Sequence, residues 1–178
     1  EVEKRTQVRW QQVNNMPSDG SPVISINRDR RTTKDSLARE GYQIRTTGST
    51  ISITGNDSRG VLYGVGRLLR SLRMAKLKIT LPGDLNLVTA PKYALRGHQL
   101  GYRPKTNSYD GWTLPVWEQY IRDLAVFGTN AVELIPPRSD DAADSPHFPL
   151  PPLDMMIGMS RICDEYGLDV WIWYPALD

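Results

Sequence analysis

The sequence lacks several of the residues on which particular protein classes depend. Its 178 residues include one cysteine, two histidines and two phenylalanines. A lone cysteine, Cys163, cannot form a disulfide within the chain or build a multi-cysteine zinc site. The two histidines, His98 and His147, are far apart in the sequence and have no convincing third ligand. We therefore expect no metal centre and no cofactor.

Long apolar runs are also missing. The longest one, around Val170 to Leu177, is far shorter than the ~20 residues that span a bilayer, so we expect no membrane span. The chain begins at Glu1 rather than Met, which predicts that any signal peptide has already been removed. With 39% hydrophobic and 24% charged residues, the composition is that of a folded protein with one domain or two small ones.

Charge is distributed unevenly along the chain. Residues 1–93 contain 16 Lys and Arg against 8 Asp and Glu, whereas residues 94–178 contain 6 against 12. The shift occurs near Ala90-Pro91 and predicts two domains, residues 1–90 and residues 91–178. The arginines of the basic half have almost no aromatics among them. We therefore interpret this half as a solvated surface or a contact with the acidic half, and expect no nucleic-acid partner.

The first half has the pattern of strands followed by a helix. Val23–Ile26 is a β-branched run, and Tyr42–Arg45 and Ile51–Thr54 alternate apolar with polar residues. Gly48 lies in the short connection between the last two, which predicts a β-hairpin with this glycine in the left-handed conformation. Leu77–Leu81 is a further candidate strand that returns to the sheet.

One strong helix is predicted after this hairpin. Asn56 or Asp57 can cap its N-terminus. Apolar residues then recur on one helical face, at Val61, Leu62, Val65, Leu68, Leu69 and Leu72. Gly64 and Gly66 lie inside this stripe, which indicates close packing on a sheet and not a dinucleotide-binding loop. The first domain is therefore predicted to be a small α+β unit, with an antiparallel or mixed sheet covered on one face by one main helix.

The second half alternates predicted strands with predicted helices. The strands are Ala94–Tyr102, Ala131–Ile135 and Asp169–Tyr174. The first helix is capped by Thr113 and ended by Gly128, and the second is ended by Gly167. Long loops follow the strands and short turns follow the helices, which favours a (β/α)8 barrel over a doubly wound sheet. Since only three of eight units are present, we expect an α/β fold with an incomplete TIM barrel in a chain that is cut short.

Two short motifs resemble a known group of enzymes. They are Gly55-Asn56-Asp57-Ser58-Arg59-Gly60-Val61-Leu62-Tyr63-Gly64, and Ala90-Pro91 leading to Arg96-Gly97. The resemblance is to the N-terminal α/β domain and first barrel strand of β-N-acetylhexosaminidases (glycoside hydrolase family 20) and α-glucuronidases (family 67). It implies a secreted or periplasmic glycosidase that acts on the O-glycosidic bonds of a polysaccharide or its oligosaccharides.

The resemblance also implies roles for individual residues. Arg96 matches the arginine that binds sugar hydroxyls in the hexosaminidases, which suits a planar guanidinium; a buried ion pair is the alternative. Asp178 matches an active-site carboxylate at the end of the third strand. The hexosaminidase aspartate later on the first strand is replaced by Leu100-Gly101-Tyr102, a departure from the pattern for N-acetylhexosamine substrates. The catalytic acids of family 20 follow the fourth strand, so no catalytic residue is assigned, and we expect residues 1–178 alone to be inactive.

Three further substrate-binding candidates follow from position and residue type. Alternation places His98 on the face of Arg96, with a hydrogen-bonded core histidine as the alternative reading. Tyr102 and Trp112 belong to the loop after the first strand, where aromatic rings can either stack on sugars or pack the loop down.

Other residues of the second half are interpreted as structural. Glu133 is expected to form an ion pair within the fold, and Trp171 and Trp173 are expected in the core. The last strand, Val170–Tyr174, would leave a hydrophobic edge, which predicts self-association. A non-catalytic module that binds carbohydrate or protein is the alternative to the glycosidase.

Overall fold

The structure is a computed structural model that describes residues 1–29, 38–99, 112–134 and 149–172. It divides the chain into two compact units, Glu1–Lys92 and Tyr93–Asp178. Across the described ranges, none of the helices has the length and hydropathy that crossing a bilayer would require.

The first unit contains a mixed four-stranded sheet. Its elements are α1 (Val2–Thr6), β1 (Val23–Arg28), β2 (Tyr42–Thr47), β3 (Thr50–Gly55), α2 (Ser58–Ser71), β4 (Arg73–Ala75), β5 (Lys78–Thr80) and β6 (Asn86–Thr89). The sheet has the order β1-β3-β2-β6, in which β1 is parallel to β3 and the other pairs are antiparallel. The predicted hairpin of β2 and β3 is confirmed. Gly48 in its turn has a φ of 57°, a conformation that glycine adopts without a Cβ penalty.

Helix α2 covers one face of this sheet, as its apolar stripe predicts. The buried residues at this interface are Tyr42, Ile44, Ile53, Tyr63 and Leu68. Gly64 allows the close approach, because a Cβ at this position would lie 2.6 Å from Cγ2 of Ile53. The prediction that Gly64 serves close packing is confirmed.

The N-terminus of α2 is fixed by one carboxylate. Asp57 is the N-cap; its Oδ1 accepts a hydrogen bond from the N–H of Gly60 at 2.8 Å, and its Oδ2 accepts one from the N–H of Glu40 at 2.8 Å. Glu40 is buried and pairs with Arg59 at an N–O distance of 3.2 Å. A Cβ at Gly60 would lie 2.3 Å from the carbonyl oxygen of Gly41. The predicted cap therefore also holds the helix against the chain that enters β2.

Two features of the first unit differ from the prediction. The Leu77–Leu81 segment contains β5, which pairs with β4 in a separate two-stranded sheet and does not return to the main sheet. One edge of the main sheet is β6, which was not predicted, and the other is β1. The N–H of Leu77 donates to the carbonyl oxygen of Thr6 at 2.7 Å, which ties the small hairpin to the end of α1. Pro82-Gly83 then separates β5 from the edge strand.

The second unit contains a three-stranded parallel sheet. Its elements are β7 (Gly97–Gln99), α3 (Leu114–Val126), β8 (Ala131–Leu134), α4 (Pro152–Glu165) and β9 (Asp169–Ile172). The strand order is β7-β8-β9, and both pairs are parallel, as predicted. Thr113 is the N-cap of α3, although its side chain makes no cap hydrogen bond. Closure of these strands into a barrel stays a prediction.

Helix packing and strand alternation define the core of the second unit. Its fully buried side chains include Trp117, Ile121, Val132, Leu134, Met155, Met159 and Cys163. Trp171 was expected in this core, but 59% of its surface is exposed, so that prediction is wrong. The reason is that β9 is an edge strand whose four residues are all exposed. Trp173 lies outside the described residues.

Candidate functional site

Arg96 lies directly before β7, at the N-terminal edge of the parallel sheet. Its Nε donates to the carbonyl oxygen of Gly128 at 2.7 Å, and its Nη1 donates to that of Tyr93 at 2.7 Å. Its backbone N–H donates to Oδ1 of Asn130 at 2.8 Å. Backbone carbonyl groups therefore orient the guanidinium. Sugar binding by Arg96 stays a prediction.

His98 lies in the middle of β7 and contacts α3. Its Nε2 is 2.5 Å from the hydroxyl oxygen of Tyr120, and the two rings meet edge to face with their centroids 5.6 Å apart. The histidine is half-buried. This is the hydrogen-bonded arrangement given above as the alternative to substrate binding.

Trp112 packs the end of its loop onto α3. Its ring lies edge to face with Trp117 and with Tyr120, at a centroid distance of 5.1 Å in both cases. Trp112 is half-buried, while Trp117 is completely buried. The aromatic residues thus anchor the start of the helix, and stacking of Trp112 on a sugar stays a prediction.

The remaining candidates, Tyr102 and Asp178, lie outside the described residues. Of the three that the structure places, His98 and Trp112 are brought together, because both contact Tyr120. Arg96 lies apart from them, at the N-terminal edge of the sheet.

A row of three side chains crosses the parallel sheet on the face opposite the helices. The strand register pairs Gln99 of β7 with Glu133 of β8, and Glu133 with Trp171 of β9. Successive side chains of a strand point to opposite faces of the sheet. His98, which bonds to α3, and buried Val132 each come one residue before a member of the row. They lie on the face towards the helices, and the row therefore lies on the other face. We call Gln99, Glu133 and Trp171 the open-face row.

Glu133 is the central residue of the open-face row. It is half-buried, and among the described residues it has neither a hydrogen bond nor an ion pair. The structural ion pair expected for Glu133 is therefore not found there. Periodicity within a single strand cannot predict this row, because the row depends on the register between strands. The predicted strands gave no shared offset, because Gln99 is the sixth residue of the predicted strand Ala94–Tyr102, whereas Glu133 and Trp171 are the third residues of theirs.

Other reactive side chains of the second unit have structural roles. Burial raises the pKa of the Cys163 thiol to about 11, which makes it a poor nucleophile. Burial, and then the hydrogen bond that Tyr166 donates to Glu118, raise the pKa of Tyr166. Glu118 also pairs with Arg122 on the same helix. Within the described ranges, no three potential metal ligands are grouped together.

Comparison with known proteins identifies the first unit. The family model described as glycosyl hydrolase family 20, domain 2, matches residues 1–89. Comparison with the curated proteins gives no match.

Solved structures share the fold over most of the chain. The Flavobacterium johnsoniae chitobiase has a TM-score of 0.64 at 16% identity, with 96% of this chain and 27% of that one covered. A family 20 β-N-acetylglucosaminidase has a TM-score of 0.59 at 19% identity, covering 85% and 33%. The β-N-acetylhexosaminidase of Bacteroides fragilis has a TM-score of 0.57 at 16% identity, covering 84% and 32%. The chain thus spans about a third or less of the length of these proteins.

Proposed function

Because the chain belongs to glycosyl hydrolase family 20, whose domain 2 occupies residues 1–89, we propose that it forms the N-terminal portion of a glycoside hydrolase. The enzyme cleaves O-glycosidic bonds in a polysaccharide or its oligosaccharides. The observation that carries this proposal is the family match over nearly all of the first unit, Glu1–Lys92. The parallel strand–helix order of the second unit supports it, because this order is that of a barrel that begins directly after the accessory domain.

The catalytic carboxyl groups are proposed to lie outside residues 1–178. Glycoside hydrolysis generally needs two of them, about 5–5.5 Å apart for retention or about 6.5–9.5 Å apart for inversion. In the described part of the parallel sheet, Glu133 is the carboxylate nearest to a carboxyl end of a strand, and no second one is paired with it in the strand register. We therefore propose that the second unit starts a TIM barrel and that residues 1–178 alone are inactive.

The proposed substrate is hexosaminidase-like, with an α-glucuronide as the second candidate. The names of the similar structures, a chitobiase, a β-N-acetylglucosaminidase and a β-N-acetylhexosaminidase, support the first. The departure at Leu100-Gly101-Tyr102 from the hexosaminidase pattern argues against the first, and the resemblance to the α-glucuronidases provides the second. Substrate contacts are proposed for the candidates named from the sequence, which are Arg96, His98, Tyr102, Trp112 and Asp178.

The location of the enzyme is proposed from its family, and its self-association is proposed from its exposed edge strand. The family resemblance implies an enzyme that acts outside the cytoplasm, so the protein is proposed to be secreted or periplasmic. Self-association is proposed along β9, where Val170, Trp171 and Ile172 are exposed. Ile172→Lys is expected to remove any dimer seen by light scattering.

An activity assay tests the proposal. The full-length protein and residues 1–178 would each be incubated with p-nitrophenyl N-acetyl-β-glucosaminide and with glucuronoxylan oligosaccharides. We expect turnover of one substrate by the full-length protein and none by residues 1–178. Turnover by residues 1–178 would show that they contain the catalytic acids. Glycan binding by the full-length protein without turnover of either substrate would favour the non-catalytic module.

A further inference from the structure

One stretch of the first unit contains basic residues and no acidic ones. Between Asp57 and Asp84 the chain has six charged side chains, and all six are positive. The whole chain has 22 basic and 20 acidic residues, so its overall composition does not explain a run of one sign. One of the six, Arg59, pairs with buried Glu40. The other five are exposed, and we call them the basic patch: Arg67, Arg70, Arg73, Lys76 and Lys78.

The hairpin of β4 and β5 presents part of this patch on one face. Its register pairs Arg73 with Thr80 and Ala75 with Lys78. Arg73 and Lys78 are therefore diagonal neighbours on that face, with Cα atoms about 7–8 Å apart. All four of these residues are exposed, whereas the middle pair of the register points to the other face and is half-buried. The hairpin thus turns its basic face towards the solvent.

The turn of this hairpin holds two lysines on an ordered backbone. Lys76 and Leu77 form the turn, and Leu77 has a φ of 56°. This left-handed conformation is unfavourable for leucine. The N–H of Leu77 donates to the carbonyl oxygen of Thr6 at 2.7 Å, which fixes the turn to α1. Because the backbone is already ordered, less conformational entropy is lost when Lys76 and Lys78 contact a ligand.

Stability of the fold does not account for the whole patch. Cations near the C-terminus of a helix interact favourably with its dipole, which explains Arg70, whose Nε donates to the carbonyl oxygen of Gly66 at 3.3 Å. The hairpin cations follow the helix. Charges keep exposed strand edges from pairing, but a mixture of signs would do so without repulsion. Among the described residues, neither an ion pair nor a hydrogen bond is made by the side chains of Arg67, Arg73, Lys76 and Lys78.

We propose that the basic patch binds an anionic polysaccharide, whose sugar rings carry carboxylate or sulfate groups. The positive field attracts such a polymer, and each contact releases counterions from it. Residues 67–78 include no aromatic side chain on which a nucleic-acid base could stack. The choice of a polysaccharide over other polyanions rests on the proposed function. The patch belongs to the first unit, whereas the substrate contacts proposed above belong to the second, so it holds the polymer and takes no part in bond cleavage.

Binding of the full-length protein to polygalacturonate in low-salt buffer tests this assignment. Fully methyl-esterified polygalacturonate, which has the same backbone without the charge, is the ligand control and should not bind. The triple variant Arg73→Gln/Lys76→Gln/Lys78→Gln should weaken binding of the charged polymer by about tenfold, because three contacts that release counterions are lost. Added salt should weaken binding by the native protein more steeply than binding by this variant.

A second triple variant controls for the general loss of positive charge. Arg28→Gln/Arg45→Gln/Lys92→Gln removes the same charge from exposed positions of the first unit outside the patch, and should leave the affinity nearly unchanged. Thermal unfolding verifies that both triple variants are folded. Lys76→Gln alone changes one exposed turn residue and should give a smaller loss of binding than the triple variant of the patch.

The outcomes separate this assignment from the proposed function. No binding of polygalacturonate, or an equal loss of affinity in the two triple variants, overturns the assignment even if the full-length enzyme hydrolyses glycosides. Equal binding of the charged polymer and its methyl ester also overturns it, as does tighter binding of phosphatidylglycerol vesicles or of double-stranded DNA. A loss confined to the patch variants supports the assignment even if the enzyme hydrolyses neither test substrate.

Discussion

The side-chain amide of Asn130 ties the start of one parallel strand to the start of the next by bonding to the backbone at Arg96. Its Oδ1 accepts from the N–H of Arg96 at 2.8 Å, and its Nδ2 donates to the carbonyl oxygen of Ala94 at 2.7 Å. Its own backbone N–H donates to the carbonyl oxygen of Arg96, and its carbonyl accepts from the N–H of Asp169. This buried residue therefore fixes β7, β8 and β9 relative to one another at their N-terminal ends.

Asn130→Ala should destabilise the second unit by about 1–2 kcal/mol, because it removes two partly buried hydrogen bonds, those to the N–H of Arg96 and the carbonyl oxygen of Ala94. Urea unfolding monitored by tryptophan fluorescence measures the change. Asn130→Asp keeps the acceptor for Arg96 and loses the donor for Ala94, so an intermediate loss is expected. The surface variant Asn27→Ala is the control. A loss below about 0.5 kcal/mol for Asn130→Ala would contradict this role, since surface substitutions remain within that range.

Gly60→Ala should destabilise the first unit strongly. The added methyl group would lie 2.3 Å from the carbonyl oxygen of Gly41, and backbone there cannot move without breaking the Asp57 cap. Gly83→Ala is the matched control, because nothing lies within 4 Å of a Cβ at Gly83 and its φ is not in the left-handed region. We expect a loss of about 2 kcal/mol or more for the first variant and a change within about 0.5 kcal/mol for the second, from thermal unfolding. Similar losses of stability for Gly60→Ala and Gly83→Ala would contradict the close approach of Gly60 to the carbonyl group of Gly41.

The Cys163 thiol should be unreactive in the native protein. Burial raises its pKa from 9.0 to about 11, so at pH 8 almost no thiolate forms and the reagent cannot reach it. Ellman's reagent should give no colour without urea and one thiol per chain in urea. Rapid reaction of the folded protein would be inconsistent with the buried position.

The same pKa shift predicts how stability depends on pH. Between about pH 9 and 11 the unfolded chain loses the thiol proton while the folded chain keeps it, so the free energy of unfolding should fall as pH rises through this range. Cys163→Ala should show a smaller decrease over the same range, measured by urea unfolding at pH 8 and at pH 10.5. An identical decrease in the variant would assign the whole effect to other groups.

Tyr166→Phe should weaken the contact between α3 and the end of α4. The variant removes the hydrogen bond that Tyr166 donates to Glu118, and Glu118 keeps its ion pair with Arg122. A loss of about 1 kcal/mol is expected, because Tyr166 is only partly buried and water can replace its hydroxyl. Because this hydrogen bond is already absent in Tyr166→Phe, Glu118→Gln should cost less stability in that variant than in the native protein. A double-mutant cycle measures the difference between the two costs.

Periodicity was sufficient to predict the elements with large buried faces. The alternation in Tyr42–Arg45 and the stripe of α2 both report one apolar face, and both elements were found as predicted. Strand β6 could not be predicted in this way, because it has four residues, three of them exposed, and its position depends on pairing with β2. Helix α1, with five residues, is too short for a helical period to be recognised.

The site was harder to predict than the fold, because side-chain neighbours depend on strand register. Arg96 and His98 were assigned to one face by alternation, but Arg96 lies before the strand and bonds to backbone carbonyls. Trp171 was assigned to the core from its residue type, and the edge position of its strand exposes it. Register, which brings Glu133 beside Trp171, is set by pairing between strands and is not encoded within either one.

The parallel pairing of β1 with β3 has a consequence for how the first unit assembles. Strand β2 follows β1 in the chain, yet β3 separates the two in the sheet. The hairpin of β2 and β3 can form from nearby residues within microseconds, whereas β1 must close a much longer loop before it adds to the far side of β3. The other edge strand, β6, pairs with β2 across a still longer stretch of chain, so the accessory domain should grow outwards from this hairpin and gain its two edge strands last.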